Sequence, residues 1–154
     1  MRAVGGDPPG RSLVMFMQTP SLSGHVTEQA PAANRHRHRQ RSILLVDDQK
    51  PVREAINLLL RLDEHTVTEA ADGAMALELF MGGHFDLVIT DFEMPNMKGN
   101  ELAARIKHAS PMQPILMITA YAERLRDSDN PVDAILDKPF QIEDLRRAIA
   151  KLLS

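Results

Sequence analysis

From Ile43 onward the chain alternates short apolar runs with amphipathic segments whose apolar residues recur every three to four positions. ILLV (43–46), TVTEA (66–70), LVIT (87–90), ILMIT (115–119) and AIL (134–136) have the length of strands. Most lack polar alternation, as expected of strands covered on both faces in a parallel sheet with helical crossovers. TVTEA alone alternates, which predicts a sheet edge. Pro51 preorganises the first turn of a helix with Val52, Ala55, Ile56 and Leu59 on one face. Asp72 is the expected N-cap of a second helix carrying Leu77, Phe80 and Met81. Residues 100–108 offer Leu102 and Ile106, and Ile142, Leu145, Ile149 and Leu152 stripe a last helix. The pattern predicts an α/β fold, a doubly wound five-stranded parallel sheet.

Residues 1–42 follow no such period. GGDPPG, TPSLSG and QAPAAN are Pro/Gly/Ser-rich, and the segment reads as a disordered basic arm preceding a domain at 43–154. Charge divides the same way: of 18 Lys/Arg and 21 Asp/Glu, the first 42 residues hold six and two. Residues 34–41, NRHRHRQR, alternate four arginines with two histidines and read first as a solvated, self-repelling linker. The sharper alternative is an electrostatic contact with nucleic acid or an acidic surface. No aromatics interleave for base stacking, so nucleic-acid binding is expected, if anywhere, only through 35–41. Flanking cations also argue against metal binding by His25, His36 and His38. Met17 offers an alternative start.

The chain has no cysteine, which removes disulfides, thiolate catalysis and Cys-ligated zinc and fits a reducing compartment. The longest apolar run in the arm, LVMFM at 13–17, is too short for a secretory core or a membrane span. Membrane insertion is not expected, and the cytoplasm is the expected location.

In an open parallel sheet, reactive groups gather outside the carboxyl ends of the strands. The first run ends in Asp47 and Asp48, the third in Asp91, the fourth in Thr119, and the fifth passes through Asp137 into Lys138. Three carboxylates, a hydroxyl and an ammonium are therefore expected on one rim. Adjacent carboxylates repel and gain from a cation, and this donor set suits a hard divalent ion such as Mg²⁺. A carboxylate beside such an ion can attack phosphorus to give an acyl phosphate. By geometry alone, a hydrolytic metal site and mere solvated loop ends stay open.

ILLVDD, DLVITDFEMPNMKG, ILMITAY and AILDKPF, in this order, closely resemble the receiver domain of bacterial response regulators, over residues 43–154. The resemblance implies the flavodoxin-like strand order 2-1-3-4-5. It makes Asp91 the phosphorylated residue, Asp48 a direct metal ligand, Asp47 a ligand through water, and Glu93 the donor of a backbone carbonyl to the metal. Thr119 becomes the switch hydroxyl and Lys138 the phosphoryl-binding lysine, with a cis bond before Pro139. The side chains of Glu93 and Tyr121 fall where family members tune dephosphorylation. The implied cofactor is Mg²⁺. The implied partners are a histidine kinase or histidine phosphotransfer protein and a downstream target protein. Beyond its own phosphorylation and dephosphorylation no enzymatic activity is expected.

Two departures concern signalling. Ile135 stands where receivers carry an aromatic switch residue, and the interval from Thr119 to Lys138 is short and contains Asn130-Pro131, so the fourth helix is expected to be shortened or absent. As no output segment follows Ser154, a single-domain regulator acting through protein contacts is expected; the alternative is a receiver-like scaffold acting independently of phosphorylation. Four further expectations are structural. Asp72-Gly73 should form a turn and cap, and Met94-Pro95 with Gly99 should shape the loop after Asp91. Glu101, Arg105 and Lys107 should form a solvated face, and Asp137 should point away from the pocket. Because the arm lacks an apolar stripe, deleting residues 1–40 is expected to leave the melting temperature nearly unchanged. A drop of more than several degrees would show that the arm packs.

Overall fold

The computed structural model describes residues 39–126 and 128–154. The arm up to residue 38, with its histidines and most of its arginines, lies outside the described residues. Ten elements alternate: β1 (Ser42–Val46), α1 (Lys50–Leu62), β2 (Thr66–Ala70), α2 (Gly73–Gly82), β3 (Leu87–Thr90), α3 (Gly99–Ala109), β4 (Ile115–Thr119), α4 (Ala122–Arg126), β5 (Ala134–Asp137) and α5 (Ile142–Leu152). The five strands form one parallel sheet in the order β2-β1-β3-β4-β5. The alternating strand, β2, is at an edge.

Side chains of successive strand residues point to opposite faces, and this alternation divides the core. Ile43, Leu45, Leu87, Ile89, Leu116 and Ile118 pack with Ile56 and Leu60 of α1 and Leu145 and Ile149 of α5. Leu44, Val46, Val88 and Ile115 pack on the other face with Ala76 of α2 and Leu102, Ala103 and Ile106 of α3. Burial of such apolar area is the main favourable term.

The helix stripes differ in phase from expectation. Ala55 and Met81 are exposed, and Leu60 and Ala76 are buried in their stead. α1 ends in a paired reversal: Glu64, at φ 64°, donates to Arg61 O at 3.0 Å and His65 N to Leu60 O at 3.1 Å. Asp72 caps α2, its Oδ1 accepting from Met75 N at 2.7 Å. Lys107 is not a solvated residue of α3. Its ammonium folds back onto Asp133 at 2.8 Å and Gln113 O at 2.7 Å, while Asp133 also accepts from Ile115 N at 2.8 Å. Glu101 and Arg105 do form an exposed pair. The fourth helix is reduced to five residues.

The ordered fold takes in the last residues assigned to the arm. Ser42 begins β1 and donates through its N–H to Asp86 at 2.8 Å, Arg41 reaches Leu153 O at 3.2 Å, and Gln40 reaches Thr66 Oγ1 at 3.2 Å.

Gly99, at the start of α3, is held against the turn after β3. A Cβ there would lie 1.9 Å from Asp91 O, a backbone atom with no rotamer to yield. Gly99→Ala is expected to cost about 1–3 kcal/mol, the usual range for overpacking, visible as a lowered denaturant midpoint. Gly82→Ala is the control. A Cβ at Gly82 meets nothing within 4 Å, and removing a helical glycine is expected to be neutral or stabilising by up to about 1 kcal/mol.

Candidate functional site

The sheet brings the sequence-predicted rim together. Beyond β1, Asp47 N still pairs with Ala70 O at 3.2 Å, and Asp91 N pairs with Val46 O at 3.0 Å. Lys138 N pairs with Thr119 O at 3.0 Å. Each site residue thus leaves the sheet within a bond or two of a fixed ladder position. Carboxylate oxygens of Asp47, Asp48 and Asp91 lie within 4.8 Å of one another. Lys138 Nζ reaches Asp47 Oδ2 at 3.2 Å and Asp91 Oδ1 at 3.7 Å.

The adjacent aspartates differ in their surroundings. Asp47 is buried, with Oδ1 accepting from Gln49 N at 2.9 Å and Oδ2 from Lys138. Asp48 Oδ1 is also buried, yet it has no hydrogen-bond partner among the described residues. A buried carboxylate oxygen without a donor is costly. One oxygen of the three aspartates is thereby left without a donor, while each oxygen of Asp47 accepts one hydrogen bond. Three carboxylates facing one ammonium, with an orphaned oxygen among them, fit an oxygen-seeking divalent cation.

Asp91 is held at both ends. Its Oδ1 accepts from Phe92 N at 2.8 Å, and its carbonyl accepts from Thr90 Oγ1 at 2.9 Å. Burial pushes its carboxyl above the ordinary value of 3.8; Lys138 and the Phe92 N–H pull it down, and Asp47 and Asp48 push it up. Thr119 is fully buried, and its Oγ1 accepts from Tyr121 N at 3.2 Å. The peptide bond between Lys138 and Pro139 is cis. Asp137 turns from the pocket and pairs with Arg126 of α4. Glu93 and Tyr121 are exposed at the rim. Glu93 pairs with Lys98 at 3.3 Å, and Arg124 lies over the Tyr121 ring at 5.5 Å. Ile135, partly buried, occupies β5 opposite Met117.

Comparison with known proteins agrees with this geometry. The profile of the response regulator receiver domain matches residues 43–150. The chain belongs to the response regulator receiver domain family. Chemotaxis protein CheY-3 of Vibrio cholerae is 36% identical over 116 residues, covering 71% of this chain and 89% of that protein. Response regulator MprA of a Mycobacterium species (strain KMS) is 35% identical over 114 residues, covering 72% of this chain and 50% of MprA. The receiver chain therefore spans about half the length of its MprA relatives. Among solved structures, Thermotoga maritima response regulator TrrA, in complex with Mg²⁺ and BeF, superposes with a TM-score of 0.71 at 33% identity. The match covers 74% of this chain and 100% of TrrA. No described helix is long and apolar enough to cross a membrane.

Sequence reasoning missed Arg53, Asn57 and Glu69, which form a polar chain beside the aspartates. The available signal was the spacing of Arg53, Asn57 and Arg61 at successive i+4 positions, opposite one carboxylate in β2.

The raised Asp91 value sets a pH dependence. The native state holds this proton more tightly than the unfolded chain, so the stability it contributes is fully present below about pH 3.8 and is lost as pH rises through the folded value. At neutral pH without divalent cations, Asp91→Asn should therefore melt higher than the wild type. The difference should shrink as pH falls towards 4. Thermal melts in chelator at the two pH values test this; a lower melting point for the variant at neutral pH would contradict it.

Proposed function

We propose that the chain accepts a phosphoryl group on Asp91 from a histidine kinase or histidine phosphotransfer protein, in a Mg²⁺-dependent reaction, and signals through protein–protein contacts. The observation that carries this reading is the rim itself: a buried aspartate with its charge penalised, two further carboxylates, and an ammonium within 3.7 Å. The Mg²⁺–BeF complex of the T. maritima relative supports it. The donor's phosphohistidine implies a cytoplasmic protein.

Asp48, Asp91 and the Glu93 carbonyl would hold the ion directly and Asp47 through water. Once bound, Mg²⁺ supplies charge stabilisation to phosphoryl oxygens. A carboxylate oxygen of Asp91 attacks phosphorus, the new O–P bond forms, and the N–P bond to the donor histidine breaks with the electron pair returning to the imidazole. Phe92 N–H fixes one oxygen of the attacking carboxylate, and Lys138 offsets charge on the transferred group. Thr119 Oγ1 accepts from Tyr121 N in this state, which leaves its own proton free to donate to the phosphoryl group. Hydrolysis of the acyl phosphate returns the carboxylate. Glu93 and Tyr121, exposed at the rim and tied to Lys98 and Arg124, are the side chains we assign to tuning that hydrolysis.

Asp91→Asn removes the nucleophile and should abolish labelling by a cognate kinase or small phosphodonor, while Asp48→Ala should impair transfer through lost metal binding. Labelling of Asp91→Asn at the wild-type rate would contradict the assignment. Ile135 has few rotamers and no ring to report the position of Thr119. The movable contact is the 119–133 segment, which the Arg126–Asp137 pair and a five-residue α4 hold, with Lys107 fixing its end at Asp133. Hydrogen exchange with and without beryllofluoride and Mg²⁺ should show its largest protection change there. Protection confined to the surroundings of Asp91 would favour a scaffold insensitive to phosphorylation.

A further inference from the structure

Four polar side chains run along one flank of α1 to the edge strand, and none belongs to the acidic cluster. Arg53 Nε donates to Glu69 Oε1 at 3.1 Å, and Arg53 Nη1 donates to the carbonyl of Asp47 at 2.7 Å. Asn57 Nδ2 donates to the other Glu69 oxygen at 2.9 Å, and Arg61 Nε donates to Asn57 Oδ1 at 2.8 Å. The carbonyl that Arg53 grips belongs to the peptide joining Asp47 to Asp48. That peptide fixes the direction in which the Asp48 side chain leaves the main chain.

We propose that Arg53, anchored by Glu69, is a positioning residue for divalent-cation binding, holding the Asp47–Asp48 peptide so that the Asp48 carboxylate stays beside those of Asp47 and Asp91, its buried Oδ1 without a hydrogen-bond partner among the described residues. The inference rests on the reading of the cluster as a Mg²⁺ site. Two physical effects of Arg53 oppose each other. As a bare positive charge beside a cation site it would repel the ion. As a fixed two-pronged donor it preorganises a ligand, as residues behind metal ligands commonly do. Glu69 decides between them. It pairs with a guanidinium whose side chain is only 14% exposed, so the charge is largely compensated locally and the geometric effect is left to dominate.

Arg53→Lys keeps the charge but not the planar fork, so its flexible ammonium does not hold both acceptors in the same fixed geometry. Arg146→Ala is the structural control. Arg146 grips Asp63 at the far end of α1 with two bonds, at 2.6 and 2.7 Å, and touches nothing in the cluster. Its loss should lower stability without changing the cation site.

The experiment is a Mg²⁺ titration of the full chain followed by amide NMR shifts, at a temperature where melts show every variant folded. The wild type should saturate. Arg53→Ala should bind Mg²⁺ about tenfold more weakly, the lower end of the range for such supporting residues. Arg53→Lys should fall between, and Arg146→Ala should match the wild type. Unchanged or tighter binding by Arg53→Ala would overturn this inference alone. So would an equal loss in Arg146→Ala, since that would trace the effect to general loosening of α1. A wild-type protein that shows no Mg²⁺ binding would overturn the proposed function and this inference with it.

Discussion

Three carboxylates confront a single ammonium at the carboxyl end of the sheet, and the remaining architecture serves to keep them there. Left to themselves Asp47, Asp48 and Asp91 would repel one another and turn to water. The fold prevents this by pinning the main chain of Asp47 and Asp91 to neighbouring strands, by gripping the Asp47 carbonyl through Arg53, and by lending Lys138 to two of the carboxylates. The cluster remains undercompensated by two charges. That deficit is a cost to the bare protein and an attraction for a divalent cation with its phosphoryl group.

The partition of roles between the adjacent aspartates follows from their local bonds. Asp47 spends its oxygens on Gln49 N–H and Lys138, whereas Asp48 has a buried oxygen without a partner among the described residues. The same logic extends outward. Gly99 lets α3 start against the carbonyl of Asp91. Arg53 and Glu69 clamp the peptide between the acidic pair from the opposite flank. On the β5 side the restraint comes from a five-residue helix, the Arg126–Asp137 pair and Lys107 bound to Asp133.

Much of this was legible in the sequence because a strand buried on both faces must be an unbroken apolar run, and polar residues that end parallel runs must be neighbours. The edge placement of β2 followed from the alternation of TVTEA, and the short α4 from Asn130-Pro131. The phase of the helices was less legible. In the run LLLRL at 58–62, leucines occupy nearly every side of the turn, and periodicity cannot tell buried Leu60 from Leu58 and Leu62, which are 61% and 63% exposed. Lys107 was misread because its partner, Asp133, comes from a loop 26 residues away. The pairing of Arg53 with Glu69 was hidden for the same reason, as contacts across elements leave no period.

The most direct test of the central claim is a crystal structure of the full chain grown with Mn²⁺, which favours the same oxygen ligands as Mg²⁺ and can be located by its anomalous scattering. The account predicts one ion bound directly by carboxylate oxygens of Asp48 and Asp91, with Asp47 reaching it only through water and still paired with Lys138. An ion bound directly by Asp47 with Asp48 turned away, or a cluster that stays empty at saturating Mn²⁺, would contradict it.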